Sequence, residues 1–282
     1  MLPANIVIFT DLDGTLLEHR TYSWAAAEEA LAEVERRRVP WVIVTSKTRA
    51  EVELLRRKLE HAHPFVTENG GGIFVPHGYF PQRIEGATST RHYHCLALGQ
   101  PYDEIVKELE EIAAEAGAEI VGFHQMSTRE VAENTGLRPQ EAELARQREF
   151  DEPFFFAGAS DAVVAKFVEL AKQRKLEITR GGRLWHLFAG SDKGRAVRWL
   201  MKEYRAALRT RLRAVGLGDS TNDLPMLAAV DLPILVQKPD RSYDEEVVSR
   251  LPRVTRAPAP GPAGWNETVL ELLQGLKAKE KR

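Results

Sequence analysis

Four short, uninterrupted apolar runs constrain the fold more than any other feature of the chain: residues 6–9, 41–44, 214–217 and 233–236. Runs of this length without alternation predict strands buried on both faces, the habit of parallel sheets. The first three end in small, hydroxyl or acidic clusters, Thr10-Asp11, Thr45-Ser46 and Gly218-Asp219. Helical periodicity lies between or after the runs, over about 25–38, 49–59, 193–209 and 224–228. Strands alternating with helices predict a doubly wound α/β sheet. Ligands of such sheets bind at the carboxyl ends of the strands, where these clusters sit.

Residues 85–187 read differently. Segments 91–98, 119–122, 154–156 and 184–188 are strand-like, and helical patterns cover 102–116, 138–148 and 161–175. The expectation is a small α+β unit inserted into the larger sheet, with 1–84 and 188–282 forming the core and 85–187 the insert. A Pro/Gly-rich connector over 256–264 precedes a last helix over about 266–276. With 43% hydrophobic residues the chain can fill a sizeable core, and a formal charge of −2 gives no nucleic-acid or membrane-surface footprint. No apolar run reaches the roughly 18 residues of a membrane span. The first residues lack the basic segment of a signal peptide. One cysteine, Cys95, cannot form an internal disulfide, in keeping with a reducing cytoplasm.

The chemistry concentrates in four places. Asp11-Leu12-Asp13-Gly14-Thr15-Leu16 directly follows a buried strand. Phosphoryl transfer needs an in-line nucleophile, a cation for the phosphoryl oxygens and a proton donor for the leaving oxygen. Asp11 can be nucleophile and metal ligand, and Asp13 can protonate the leaving group and then activate water. The competing reading is an acidic turn that caps a helix. Thr45-Ser46-Lys47-Thr48 can hold a phosphoryl oxygen through hydroxyl and backbone N–H groups, though alone it reads as a helix N-cap. Lys193, in Ser191-Asp192-Lys193-Gly194-Arg195, falls in a first helical turn, where the macrodipole disfavours a cation unless an anion faces it. Otherwise it is a solvated surface lysine. In Gly218-Asp219-Ser220-Thr221-Asn222-Asp223, Asp219 can share a hard cation such as Mg²⁺ with Asp11. Asn222 and Asp223 lie one turn on, as further ligands or supports, and Asp223 can also hold Lys193. Neither Gly216-Leu217-Gly218 nor Gly70-Gly71-Gly72 completes a nucleotide-binding motif.

Taken together and in this order, the four elements resemble the haloacid dehalogenase superfamily, across residues 1–72 and 190–236. The resemblance implies a Rossmann-like core with a C2-type α+β cap, and Glu68-Asn69-Gly70-Gly71 is similar to its sugar-phosphatase branch. It implies a magnesium-dependent phosphatase that passes through an aspartyl-phosphate on Asp11. Asp13 would be the acid/base; Asp11, Asp13, Asp219 and Asp223 the metal site; and Thr45, Ser46, Lys193 and Asn222 the phosphate-binding groups.

Similarity extends through 130–136, 146–154, 180–186 and 261–273 and implies a phosphorylated sugar–glycerate as substrate. Other sugar phosphates, or a phosphomutase reaction, are the alternatives. The cap is then the place for sugar and glycerate contacts, and Gln125, Ser127, Glu152, Arg180, Gly181 and Gly182 are the candidates. Arg180 suits a carboxylate, yet Gly181-Gly182 also reads as a hairpin turn and Ser127 as a helix cap. His124 and His186 read as packing or surface histidines, and the eight histidines show no zinc spacing.

Overall fold

The structure is a computed structural model that describes residues 5–181, 184–208 and 211–280. Among the described residues thirteen strands form two sheets: β1 Ile6–Thr10, β2 Trp41–Val44, β3 Phe65–Thr67, β4 Gly72–Pro76, β5 Thr88–Ser89, β6 Tyr93–Ala97, β7 Ile120–Gly122, β8 Asp151–Phe156, β9 Glu177–Gly181, β10 Leu184–Phe188, β11 Arg213–Gly218, β12 Leu232–Gln237 and β13 Thr255–Pro260. The larger sheet has the order β13-β12-β11-β1-β2-β3-β4-β6-β5, and the smaller β7-β8-β10-β9. From β13 to β3 the large sheet is parallel, and β4, β6 and β5 extend it antiparallel.

Helices cover both faces of the parallel part, as continuous apolar strands require. In β1, Ile6 and Ile8 pack on one side with Trp41, Val34 and Trp265. Val7 and Phe9 pack on the other with Val197, Leu200 and Tyr204 of the helix Lys193–Leu208. The four-stranded sheet carries its own core, in which Phe154 and Leu187 meet Ile105 and Leu109 of the helix Tyr102–Ala116 and Phe167 of Asp161–Gln173.

Two expectations change. Strand β6 pairs with β4 along Tyr93–Pro76 through Ala97–Gly72, so it belongs to the large sheet although it falls within the insert expected to begin at residue 85. Its half-buried, alternating pattern suits an antiparallel extension of either sheet, and only the pairing decides. The connector expected over 256–264 is in part β13, an outer strand. Pro258 and Pro260 are tolerated there because an edge strand needs N–H donors on one side only. The last helix then spans Gly261–Glu280.

That helix anchors strand β1. Trp265 is fully buried, and its indole Nε1 donates to Thr10 Oγ1 at 3.0 Å. Thr10 Oγ1 in turn donates to the Asp11 carbonyl at 2.8 Å. Trp265→Ala is expected to lower the unfolding free energy by about 3–5 kcal/mol, and Trp265→Phe, which loses mainly the hydrogen bond, by about 1 kcal/mol. Denaturant unfolding of the two variants measures both.

Candidate active site

Three neighbouring strands end at one place. Asp11 follows β1, Thr45 and Ser46 follow β2, and Asp219 follows β11, with Asp11 N–H bonded to the Leu217 carbonyl at 2.9 Å. The tight turn after Asp11 needs Gly14: its φ is +78°, and a Cβ there would lie 2.6 Å from Asp219 Oδ2. Opposite these strand ends begins the helix Lys193–Leu208, capped by Asp192, whose Oδ1 accepts from Gly194 and Arg195 N–H.

Lys193 lies at the first position of that helix and is 1% exposed. Its ammonium donates to Asp11 Oδ1 at 2.8 Å and to Asp223 Oδ1 at 2.6 Å. Burial opposes its charge, but these two carboxylates outweigh that and raise its pKa. The second oxygen of Asp223 accepts from Asp219 and Ser220 N–H, at 3.0 and 3.3 Å. Oxygens of Asp11, Asp219 and Asp223 come within 4.8 Å of one another. Burial first, and then Asp223, push the Asp11 carboxyl well above its usual range. The same causes push Asp219 up to about 7. Three carboxylates against one ammonium leave an excess of negative charge on hard oxygen donors, which suits a divalent cation of the magnesium, calcium or manganese type.

Asp13 is separate from this group. Its carboxylate points to Lys47, with Oδ2 3.0 Å from Lys47 Nζ, while its Oδ1 is buried without a partner among the described residues. Lys47 also lies 3.6 Å from Glu51 and over the Tyr22 ring. Asp13 thus stands beside the acidic group, paired with Lys47.

A cleft of about 670 Å³ opens over these residues. Asp11, Asp13, Ser46, Asp219 and Asn222 line it from the large sheet, and Thr179, Arg180 and His186 from the small one. Thr45 is fully buried, and its Oγ1 accepts from Lys47 N–H, so it shapes the turn beneath Ser46. Asn222 is exposed and bonded to Ser220 Oγ. The helix N-cap in this run is Thr48, which leaves Ser46 to the cleft.

The expected insert contacts divide. Arg180 lines the cleft, although its guanidinium stacks 5.4 Å from the Trp185 ring. Gly181 ends β9 opposite Leu184 of β10, as a hairpin would have it, and Gly182 lies outside the described residues. Gln125 is not among the residues that line the cleft, and its Oε1 accepts from Gly122 N–H. Ser127 is the N-cap of the helix Thr128–Thr135, with Glu130 completing the capping box. Glu152 is fully buried and taken up by the Tyr102 hydroxyl and by His124. Successive residues of a strand face opposite sides, so it is Asp151, one position earlier, that meets the cleft-lining His186. Sequence reading took His186 for a packing or surface histidine and gave no role to Lys47 or Asn69, though both stand inside runs already singled out. That Asp151 and His186 share a face becomes visible only through the pairing of β8 and β10.

The insert is fastened to the core beside the site. Arg148 donates to the Ser46 carbonyl at 3.0 Å, and Thr48 Oγ1 to the Leu144 carbonyl at 2.9 Å. Glu68, pushed up to about 8 mainly by burial, accepts N–H bonds from Glu149 and Phe150.

Comparison with known proteins bears on this arrangement. A family model described as haloacid dehalogenase-like hydrolase matches residues 8–81. A solved sugar phosphatase of subclass IIB of that superfamily shares the fold, with a TM-score of 0.62 at 18% identity over 96% of this chain and 98% of its own. A glucosyl-3-phosphoglycerate/mannosyl-3-phosphoglycerate phosphatase of Methanococcoides burtonii is 43% identical over 95% of this chain and 97% of its own. A protein of the same description from Persephonella marina is 40% identical, over 96% and 98%. The chain belongs to the haloacid dehalogenase-like hydrolases, and it is a phosphoric monoester hydrolase of that family. Among the described residues no helix is long and apolar enough to cross a membrane.

Replacing Lys193 leaves two buried carboxylates without their cation. In metal-free buffer at neutral pH, Lys193→Met is expected to cost about 3–5 kcal/mol of stability. The deficit should shrink as the pH falls toward about 5, because the Asp11 carboxyl, whose folded pKa is raised, is disfavoured only while ionised. Urea unfolding at several pH values checks both the size and the sign.

Proposed function

We propose that this chain hydrolyses mannosyl-3-phosphoglycerate to mannosylglycerate and inorganic phosphate, with Mg²⁺ as its metal. The observation that carries this reading is the buried Asp11–Lys193–Asp223 arrangement at the ends of β1 and β11. The substrate is taken from the description of the two relatives above. That description includes the glucosyl ester, which differs in the sugar and carries the same phosphoglycerate, and the chain is taken to accept it as well.

In this reading Asp11, the Asp13 carbonyl and Asp219, with Asp223 beside them, would hold Mg²⁺, which when bound would supply positive charge for the phosphoryl oxygens. The Asp11 carboxylate forms a bond to phosphorus as the bond to the glycerate C3 oxygen breaks, and Asp13 gives that oxygen its proton. A water then loses a proton to Asp13 and attacks phosphorus, which frees inorganic phosphate and restores Asp11. Lys193 and Ser46, with the turn shaped by Thr45 and with Asn222 at the rim, hold the transferring oxygens. The four-stranded unit acts as a cap that begins after β6 and ends with β10, and the flanking segments are the catalytic core. A cytoplasmic setting belongs to the same reading, in keeping with the free thiol of Cys95.

Phosphate release from mannosyl- and glucosyl-3-phosphoglycerate, sucrose phosphate and simple hexose phosphates tests the proposal, with and without a chelator. The two phosphoglycerate esters should be preferred, chelation should abolish turnover and Mg²⁺ should restore it. Asp11→Asn should lower turnover by at least roughly 10³-fold while the thermal midpoint is retained. Equal rates on all the sugar phosphates would overturn the substrate. A phosphorylated product in place of inorganic phosphate would indicate a phosphomutase.

A further inference from the structure

Asp151 is a fully buried carboxylate in a small sheet far along the chain from the acidic group. In the register of β8 and β10, Asp151 lies opposite Phe188 and Pro153 opposite His186. Asp151 and His186 are therefore diagonal neighbours on one face. Both Asp151 oxygens accept from His186 Nδ1, at 3.0 and 3.1 Å. The Asn69 side chain, from the core, lies close enough to help lower the Asp151 carboxyl. Burial alone would raise the Asp151 carboxyl; the His186 ring, then Arg148 and Asn69, outweigh it and hold the carboxyl below its usual range.

A buried carboxylate given over to one imidazole fixes the orientation and the protonated nitrogen of that ring. With Nδ1 committed to Asp151, Nε2 is the nitrogen left to meet a ligand, and His186 lines the cleft opposite Asp11. Directly across the β9–β10 ladder stands Thr179, which lines the same cleft. Arg180, the more obvious anion binder, also lines the cleft, but it is the strand neighbour of Thr179 and its guanidinium is taken up over the Trp185 ring.

We infer that His186, oriented by Asp151 and flanked by Thr179, is the residue that recognises the carboxylate of the substrate's glycerate. This rests on the substrate reading above. In a 3-phosphoglycerate the carboxylate is two carbons from the phosphorylated carbon, so once phosphorus is at Asp11 the carboxylate must lie in this same cleft. A ring that gives Nδ1–H to Asp151 and Nε2–H to the substrate carboxylate makes a charge-assisted bond that a neutral alcohol at the same position does not make. Asp151 is a positioning residue, and His186 sets specificity without taking part in the transfer itself.

The test compares mannosyl-3-phosphoglycerate with an analogue that has a primary alcohol in place of the carboxylate. His186→Asn keeps a donor for Asp151 and removes the group that faces the cleft. It should raise KM for the carboxylate substrate about tenfold or more, change kcat little and leave the analogue unaffected, so that the preference for the carboxylate collapses. His186→Gln, whose amide nitrogen reaches the place of Nε2, should restore part of that preference and gives a second reading if the Asn variant folds poorly. A wild-type enzyme that prefers the carboxylate and a variant that keeps this preference would overturn the role of His186 alone. Equal loss on both compounds would do the same, since it marks a structural or sugar-facing role. A wild-type enzyme indifferent to the carboxylate would overturn the substrate reading itself, and this inference with it.

Discussion

A lysine buried between two aspartates organises the half of the molecule built on the large sheet. Lys193 starts a helix, where the helix dipole opposes a cation, and has almost no contact with solvent. Such a charge persists only because Asp11 and Asp223 compensate it. The three groups come from separate parts of the chain, and their mutual need fixes how the helix and two strand ends meet. Asp223 does double service, since its other oxygen gathers the N–H groups of Asp219 and Ser220 and so aims Asp219 at the site. The surplus negative charge left after Lys193 is counted is also the reason a divalent cation has a place here.

This half of the site was legible in the sequence because its geometry is local. Strands 6–9, 41–44 and 214–217 announce themselves as unbroken apolar runs, and the residue that follows each is at the carboxyl edge whatever the details of packing. The position of Lys193, unfavourable by local rules, was itself the signal that an anion faced it. Strand β13 was hidden by its prolines, which ordinarily argue against a strand and are harmless at an edge. The membership of β6 was hidden because half-buried alternation says nothing about which sheet supplies the partner.

The cap residues were less legible for a related reason. In a strand, a shift of one residue exchanges the two faces. Glu149-Phe150-Asp151-Glu152 offers three carboxylates within four positions, and composition cannot tell which one faces the cleft. The pairing of β8 with β10 makes it Asp151 and turns Glu152 to Tyr102 and His124 inside the cap. Ser127 likewise has the right chemistry for a sugar hydroxyl, but its own helix takes that chemistry first.

The fastenings between the two sheets give the site a further property. Arg148, from the segment leading into β8, holds the carbonyl of Ser46, and Glu68, next to Asn69, holds the backbone of Glu149 and Phe150. Asn69 is placed by its N–H on the Thr45 carbonyl. The turn after β2 and the segment that leads into Asp151 are thus tied together by hydrogen bonds from Arg148 and to Glu68. Displacement of the cap would disturb the Ser46 turn and the Asp151 support together. On the proposed reading, recognition of the organic half of the substrate and seating of its phosphate are therefore linked through these bonds.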